Sequence, residues 1–455
     1  MADFSNYLSP GRKGHLVGIG GVSMSSLAEV LHGMGLNISG SDMSSNPNVR
    51  SLCAKGIAVS VGHSEENIPA DVDFIVRTAA VHDDNPEIAY ARANGIPVFE
   101  RTQAWGAISR DYSNALCISG THGKTTTTSM CTHILMAADR DPTVMIGGTL
   151  PLLNAGHRVG HGNTIVMEAC EYYDSFLSFY PTVAVVLNIE ADHLDYFEDL
   201  AAVERSFRAF AGRVPEDGFV VANRDDKNTM DTLAGIDRNM ITFGLTPDAD
   251  VYAQNIRCIG INSEFDIMYK GKRFTDVTLH VPGMHNVKNA LAATAAAICL
   301  GIRPNAVKYG LAGFNGAGRR FEFKGKYNGA DVYDDYAHHP GELKVLLDAV
   351  ERLNYKRSIL VFQPHTFTRT AALFDDFLRQ LQRPDVVLLA EIFAAREKNA
   401  IGISSAELAE KLDNGVFYPS FQELEAALRE IARPGDIILT VGAGDVYKIG
   451  EDIVE

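Results

Sequence analysis

The sequence has no uninterrupted apolar run of about 18 residues, which excludes an ordinary membrane-spanning helix. Its first residues, MADFSNYLSPGRKGHLVG, lack the apolar core of a secretory leader, so the expected location is the cytoplasm. Cysteine is scarce: Cys53, Cys117, Cys131, Cys170, Cys258 and Cys299 show no paired C-x-x-C spacing. That argues against a zinc site or a disulfide frame and favours reduced, mostly buried thiols. Basic charge is in deficit, with 41 lysines and arginines against 57 acids and a formal net charge of -16. Without a basic cluster, such a chain is repelled by a phosphate backbone, so neither nucleic acid nor membrane is an expected partner. No fixed period recurs, which excludes a repeat array. What remains is a globular chain of 455 residues, 46% hydrophobic and 22% charged, too long for one core.

Short apolar runs alternate with helix-length stretches throughout, the pattern of parallel sheets with crossover helices. HLVGIG, NISGSD, DFIVRTAA and IPVFE read as strands of a first domain, 1–108. ALCIS, NTIVME, TVAVVLNI, GFVVAN and MITFG belong to a second, 109–318, and are continuous apolar runs, as expected of strands covered on both faces. In this domain SEFDIMYKGKRFTDVTLHV predicts an antiparallel patch, turned at its lysine-glycine centre. DVYDDYA, SILVFQP, VVLLAEI and DIILTVG form a third series, 319–455, which predicts another doubly wound sheet. The expected fold class is α/β: a Rossmann-like domain, a central P-loop-ATPase-like domain and a second Rossmann-like domain.

The chemistry-bearing motifs fall at strand ends. CISGTHGKTTTTSM places Gly120, Thr121, His122, Gly123, Lys124, Thr125 and Thr126 between a strand and a helix, where successive N–H groups form a nest for phosphate. Lys124 there suits the β- and γ-phosphates of ATP, and the Thr125 hydroxyl suits Mg2+; the competing reading of the threonine run is a helix cap alone. Glu168 closes NTIVME and His193 follows TVAVVLNI on the same sheet edge, where they can join Thr125 as metal ligands or serve as ordinary strand-end residues. Glu171 and Asp174 are nearby acids, helpers or merely solvated. In GIGGVSMSS, Gly20 and Gly21 let the backbone approach a ligand, with Ser23 where a dinucleotide fingerprint has its third glycine. Ser41 and Asp42 end the second strand, where an acid can hold a ribose hydroxyl. A structural tight turn accounts for the same glycines. In the third series DDYAHHP, FQPHTFTRT and GAGD bring His338, His365 and Arg369 to strand ends. That set suits an amino- or carboxylate-bearing substrate and developing phosphoryl charge, or else a proline-stopped turn.

GTHGKTTTT, NIEADHLDYF, GMHNVKNALAA, GRRFE, DDYAHHP, FQPHTFTRT and GAGD, in this order, resemble the Mur ligase family over essentially the whole chain. GIGGVSMSSLAEVL with ISGSD is similar to the branch that adds L-alanine to UDP-N-acetylmuramate. The resemblance implies that the first domain binds the UDP-sugar, the middle one ATP with Mg2+, and the last the amino acid, in a peptidoglycan-precursor enzyme of the cytoplasm, monomeric or homodimeric. It implies an acyl-phosphate route to the amide. By the same likeness Lys124 is the phosphate-loop lysine, and Thr125, Glu168 and His193 are metal ligands. Asn286, Asn289, Arg320 and Asp334 lie on the nucleotide side, while Tyr336, His338, His365 and Arg369 line the carboxylate and alanine pockets. No lysine occurs between Asn188 and Asp217, where other branches carry a modified one. Thr366 stands where this branch often has an arginine, and serines replace glycines near Ser23 and Ser26. Alternatives are a recycling ligase that takes a ready-made tripeptide, a nicotinamide-dependent oxidoreductase, and a nucleotide-binding regulator without catalysis.

Overall fold

The first strand, β1 (Lys13–Val17), runs into glycines at 18, 20 and 21 and then the helix Val22–Gly33, a strand-turn-helix unit that recurs along the chain. A computed structural model describes residues 3–78, 80–193, 196–395 and 397–454. Leu194 and Asp195 of the NIEADHLDYF motif lie outside these. β1 pairs in parallel with β2 (Asn37–Asp42) and with β4 (Phe74–Arg77), flanked by β3 (Ala58–Val61) and β5 (Val98–Glu100) in the order β3-β2-β1-β4-β5. The order reverses between β1 and β4, so the loop after β1 sits at the switch point where ligand crevices form.

The second sheet has ten strands. They are β6 (Asn114–Ser119), β7 (Thr143–Leu150), β8 (Ala155–Arg158), β9 (Thr164–Glu168), β10 (Val183–Val186), β11 (Phe219–Asn223), β12 (Asn239–Gly244), β13 (Val251–Ile259), β14 (Asn262–Tyr269) and β15 (Lys272–Leu279). Their order is β15-β14-β13-β12-β11-β10-β6-β9-β7-β8, with β10, β6 and β9 parallel at the middle. Lys270 and Gly271, both at positive φ, turn the expected hairpin between β14 and β15.

A third sheet holds β16 (Glu322–Tyr327), β17 (Ala330–Asp335), β18 (Arg357–Phe362), β19 (Val386–Leu389), β20 (Gly415–Phe417) and β21 (Asp436–Val441), in the order β16-β17-β21-β18-β19-β20. All neighbours are parallel except the edge pair β16 and β17. Leu360 and Phe362 enter one apolar cluster while Ile359 and Val361 enter another. Both faces of β18 are therefore covered, which is why SILVF reads as an unbroken apolar run.

The chain divides into two compact units: Met1–Asn255, Phe265–Val277 and Lys288–Phe314, and then Ile256–Glu264, Thr278–Val287 and Asn315–Glu455. The first unit has one large core in which Phe4, Trp105, Phe176, Phe207 and Phe210 are buried. Among the described residues no helix is long and apolar enough to cross a membrane.

Candidate active site

Strand β6 carries the phosphate-type loop. Ile118, where the usual pattern has a glycine, is still a strand residue: it pairs with Glu168 of β9 and is fully buried. The turn begins only at Gly120 (φ +141) and closes at Gly123 (φ +87). A Cβ on Gly120 would lie 2.8 Å from the Leu187 side chain, and one on Gly123 2.8 Å from Asn289 Oδ1, so glycine is required at both. Gly123 precedes the helix Lys124–Ala137, whose amino end has no side-chain cap. Its first-turn N–H groups are thus free to meet an anion. Asn188 fixes the loop from outside: the N–H of His122 donates to its Oδ1 at 2.8 Å, and its Nδ2 donates to His122 O at 3.0 Å. The N–H of Thr121 donates to Asn188 O at 3.1 Å, and the N–H of Glu190 donates to the Thr121 hydroxyl at 2.9 Å. Thr126 is half-buried on the first turn, while Thr128 and Thr132 donate to carbonyls of their own helix.

Beneath the loop lies a set of oxygen donors. Thr125 Oγ1 donates to Glu168 Oε1 at 3.0 Å, and the other oxygen of Glu168 accepts from the Gly147 N–H at 2.7 Å. Lys124 Nζ donates to Gly120 O at 2.6 Å, to Thr121 O at 3.1 Å and to Glu171 at 3.0 Å. Burial disfavours the charged lysine, but Glu171 outweighs it and holds the ammonium above its ordinary pKa. Glu171 is 2% exposed, so it is a buried counter-ion rather than a solvated acid. His193, at positive φ, places Nε2 4.0 Å from Glu171 and stacks on Tyr172 with ring centres 4.3 Å apart. Asp174 accepts from the Tyr196 hydroxyl at 2.7 Å and from Ser206, and so anchors its own segment.

At the end of β1 the structure gathers Gly20, Gly21, Ser23 and Asp42. Asp42 Oδ2 accepts from the Gly20 N–H at 2.9 Å, and Asn48 Nδ2 donates to Gly20 O at 2.9 Å. Ser41 is not part of that group. Its hydroxyl donates to Glu87 at 2.5 Å and meets His63 Nδ1 at 3.0 Å in a buried cluster. Burial would raise the Glu87 pKa, yet bonds from His15, Ser41 and Asn67 pull it down to about 2.

In the second unit, Tyr336, His338, His365 and Arg369 meet beyond the carboxyl ends of β17 and β18. The rings of His338 and His365 are 5.4 Å apart, and Arg369 lies 3.3 Å from His365 Nδ1. Burial, with His338 and Arg369 adding repulsion, lowers the His365 pKa to about 4, so its ring is neutral near pH 7. The guanidinium of Arg320 stands over the Tyr336 ring at 5.1 Å. Asp334, 1% exposed, accepts from Arg319 at 3.0 Å and Thr440 at 2.9 Å. Asn286 donates to its own Pro282 carbonyl at 2.7 Å, whereas Asn289 lies against Gly123. Sequence reasoning missed Asn188 and Arg319. An asparagine after a strand carries no pattern of its own, and the first arginine of GRRFE looks equivalent to the second until its bonds to Gly442 O, at 2.5 Å, and Asp334 are seen.

Family models match in three consecutive stretches: Mur ligase family, catalytic domain, at 13–113; Mur ligase middle domain at 118–297; and Mur ligase, glutamate ligase domain, at 319–444. The UDP-N-acetylmuramate-L-alanine ligase of Clostridium novyi is 44% identical over 98% of this chain and 97% of its own. The enzyme of that name from Acetivibrio thermocellus is 46% identical over 96% and 94%. The crystal structure of the UDP-N-acetylmuramate-alanine ligase of Thermotoga maritima is similar with a TM-score of 0.82 at 28% identity, covering 97% of this chain and 98% of that one.

Proposed function

Because this chain belongs to the Mur ligase family, we propose that it joins L-alanine to the lactyl carboxylate of UDP-N-acetylmuramate, with ATP as phosphoryl donor, in peptidoglycan precursor synthesis. In this reading residues 1–108 hold the sugar nucleotide, 109–318 hold ATP and 319–455 receive the amino acid. The observation that carries it is the glycine-turned loop with Lys124 inside it and the Thr125–Glu168 pair, 3.0 Å apart, beneath it.

The loop fits a triphosphate, since a Cβ at Gly120 or Gly123 would fill its turn and the helix behind it has no side-chain cap. Thr125 and Glu168, oxygen donors 3.0 Å apart, fit a hard divalent cation such as Mg2+, and His193, beside Glu171, would serve a second one. Bound there, Mg2+ supplies charge neutralisation on the phosphoryl group being transferred. Lys124 exchanges Glu171 for phosphate oxygens and stabilises the same charge. A lactyl carboxylate oxygen attacks the γ-phosphorus, ADP departs, and an acyl phosphate results. The alanine amine then attacks the carbonyl carbon, loses a proton, and phosphate leaves with the C–O bond pair. A free carboxylate cannot follow this path because oxide is too poor a leaving group; phosphorylation removes that obstacle. Arg369 binds the alanine carboxylate, and the neutral His365 beside it offers a hydrogen bond without competing for the anion. Asp334 orients Arg319 within the second unit, and Asn289, against Gly123 of the loop, serves the nucleotide in the first.

The test is ADP release from Mg-ATP and UDP-N-acetylmuramate with L-alanine, with a murein tripeptide, or with no amine. Turnover with L-alanine is expected. Turnover with the tripeptide alone would transfer the assignment to a recycling ligase, and none with either would end the ligase reading.

A further inference from the structure

Arg101 is a cation that the reading above leaves without a role. It opens the helix Arg101–Arg110 immediately after β5, and its guanidinium donates to the Ser23 hydroxyl in the first turn of the helix Val22–Gly33. Among the described residues it forms no ion pair. Its neighbour Glu100 is engaged by Arg77 at 2.7 Å. Glu100 is the one carboxylate, among the described residues, that acts on Arg101. Burial accordingly lowers its pKa, whereas carboxylate partners raise those of Arg77, Arg110, Arg357 and Arg383.

The placement is electrostatically adverse for a cation. Arg101 stands at the amino ends of two helices; Glu100 caps its own, but the helix Val22–Gly33, whose first turn it meets, has no side-chain cap. A half-buried cation in such a field is costly unless an anion joins it. A structural cap would be an acid or a hydroxyl, not a guanidinium. The one bond to Ser23 also leaves most of its five N–H donors for a ligand. Ser23 follows the glycine loop, so the guanidinium stands beside the β1 loop, within the unit that also holds Lys124 and Glu171.

We propose that Arg101 binds the anionic part of the sugar nucleotide and positions it toward the phosphoryl-transfer site. The inference rests on the sugar-nucleotide reading above. That substrate offers two anions, its diphosphate and its lactyl carboxylate, and the guanidinium suits either in a bidentate bond.

Calorimetric titration of the full chain without ATP, using UDP, UDP-N-acetylglucosamine and UDP-N-acetylmuramate, tests the proposal and separates the two anions. Arg101→Ala is expected to weaken binding at least about tenfold, the size of a charge-assisted contact. Equal losses for all three ligands place Arg101 on the diphosphate. A loss confined to UDP-N-acetylmuramate, which alone carries the carboxylate, places it there. Unchanged affinity for all three overturns the proposal. Melting temperature and ATP affinity report on folding; should the alanine variant not fold, Arg101→Lys must bind more tightly than Arg101→Gln, and equal affinity of that pair overturns the proposal too. If the unaltered chain binds ATP but not UDP-N-acetylmuramate, the sugar-nucleotide reading itself fails, a result distinct from any behaviour of the variants.

Discussion

Lys124 and Glu171 form a buried pair 3.0 Å apart, so the lysine has a structural role as well as a chemical one. Lys124→Ala should lower turnover by about 10² to 10³, as loss of a charge-stabilising donor does, and also lower the melting temperature, because breaking a buried pair costs about 3–5 kcal/mol. Adding Glu171→Gln should restore the melting temperature but not ADP release. A double variant as unstable as the single one would contradict the pairing. Ser41 makes the opposite case. Its hydroxyl serves the buried Glu87, so Ser41→Ala should cost about 1–3 kcal/mol of stability. The KM for UDP-N-acetylmuramate should stay unchanged; a rise with no loss of stability would return Ser41 to the substrate site.

Elements meet backbone to backbone where the helix Arg101–Arg110 crosses the segment Tyr172–Ser178. A Cβ on Gly106 would lie 2.0 Å from the Ser178 carbonyl oxygen, backbone against backbone, with nothing flexible to yield. Gly106→Ala should destabilise by about 1–3 kcal/mol, an overpacking cost. It should also reduce turnover, since Tyr172, the stacking partner of His193, lies on the displaced segment; urea denaturation and steady-state kinetics check both. At this scale the sequence was legible where apolar runs were long and continuous, as in TVAVVLNI, SILVFQP and DIILTVG. It was opaque for β3, whose AVSV is half exposed, for β7, broken by Gly147 and Gly148, and for β13, exposed over its second half. Those strands are held by neighbours that periodicity cannot announce. The phosphate loop could be read because glycine geometry and a following helix leave a fixed spacing. The Lys124–Glu171 bond could not, because whether an acid is solvated or buried depends on the segment above it.

For the whole molecule the clearest expectation concerns acid. Burial lowers the pKa values of His133, His285 and His365 from 6.5 to about 4. Between those values the unfolded chain binds more protons, so their stabilisation is complete above pH 6.5 and falls away as pH drops toward 4. Asp335, raised by burial to about 6, acts in the other direction, favouring the fold as pH falls through that value. Glu87, pulled down to about 2 by its hydrogen bonds against the effect of burial, loses its contribution only below pH 4.5. Asp334, also raised by burial, acts with Asp335, but the three histidines titrate across this whole range and predict a melting temperature lower at pH 5 than at pH 7, which scanning calorimetry measures; an unchanged or rising value would mean the buried histidines do not govern acid stability. Selectivity for ligands has a simpler root. The phosphate loop at rest already grips an anion of its own, Glu171, a tethered antagonist at an effective concentration that a free ion cannot match. On the proposed reading orthophosphate and ADP must compete with that carboxylate for Lys124, whereas a triphosphate offers the loop more phosphate oxygens with which to displace it. Glu171→Gln should therefore sharpen inhibition by ADP and phosphate, and a chain built to discriminate fuel from exhaust would begin to stall on its own products.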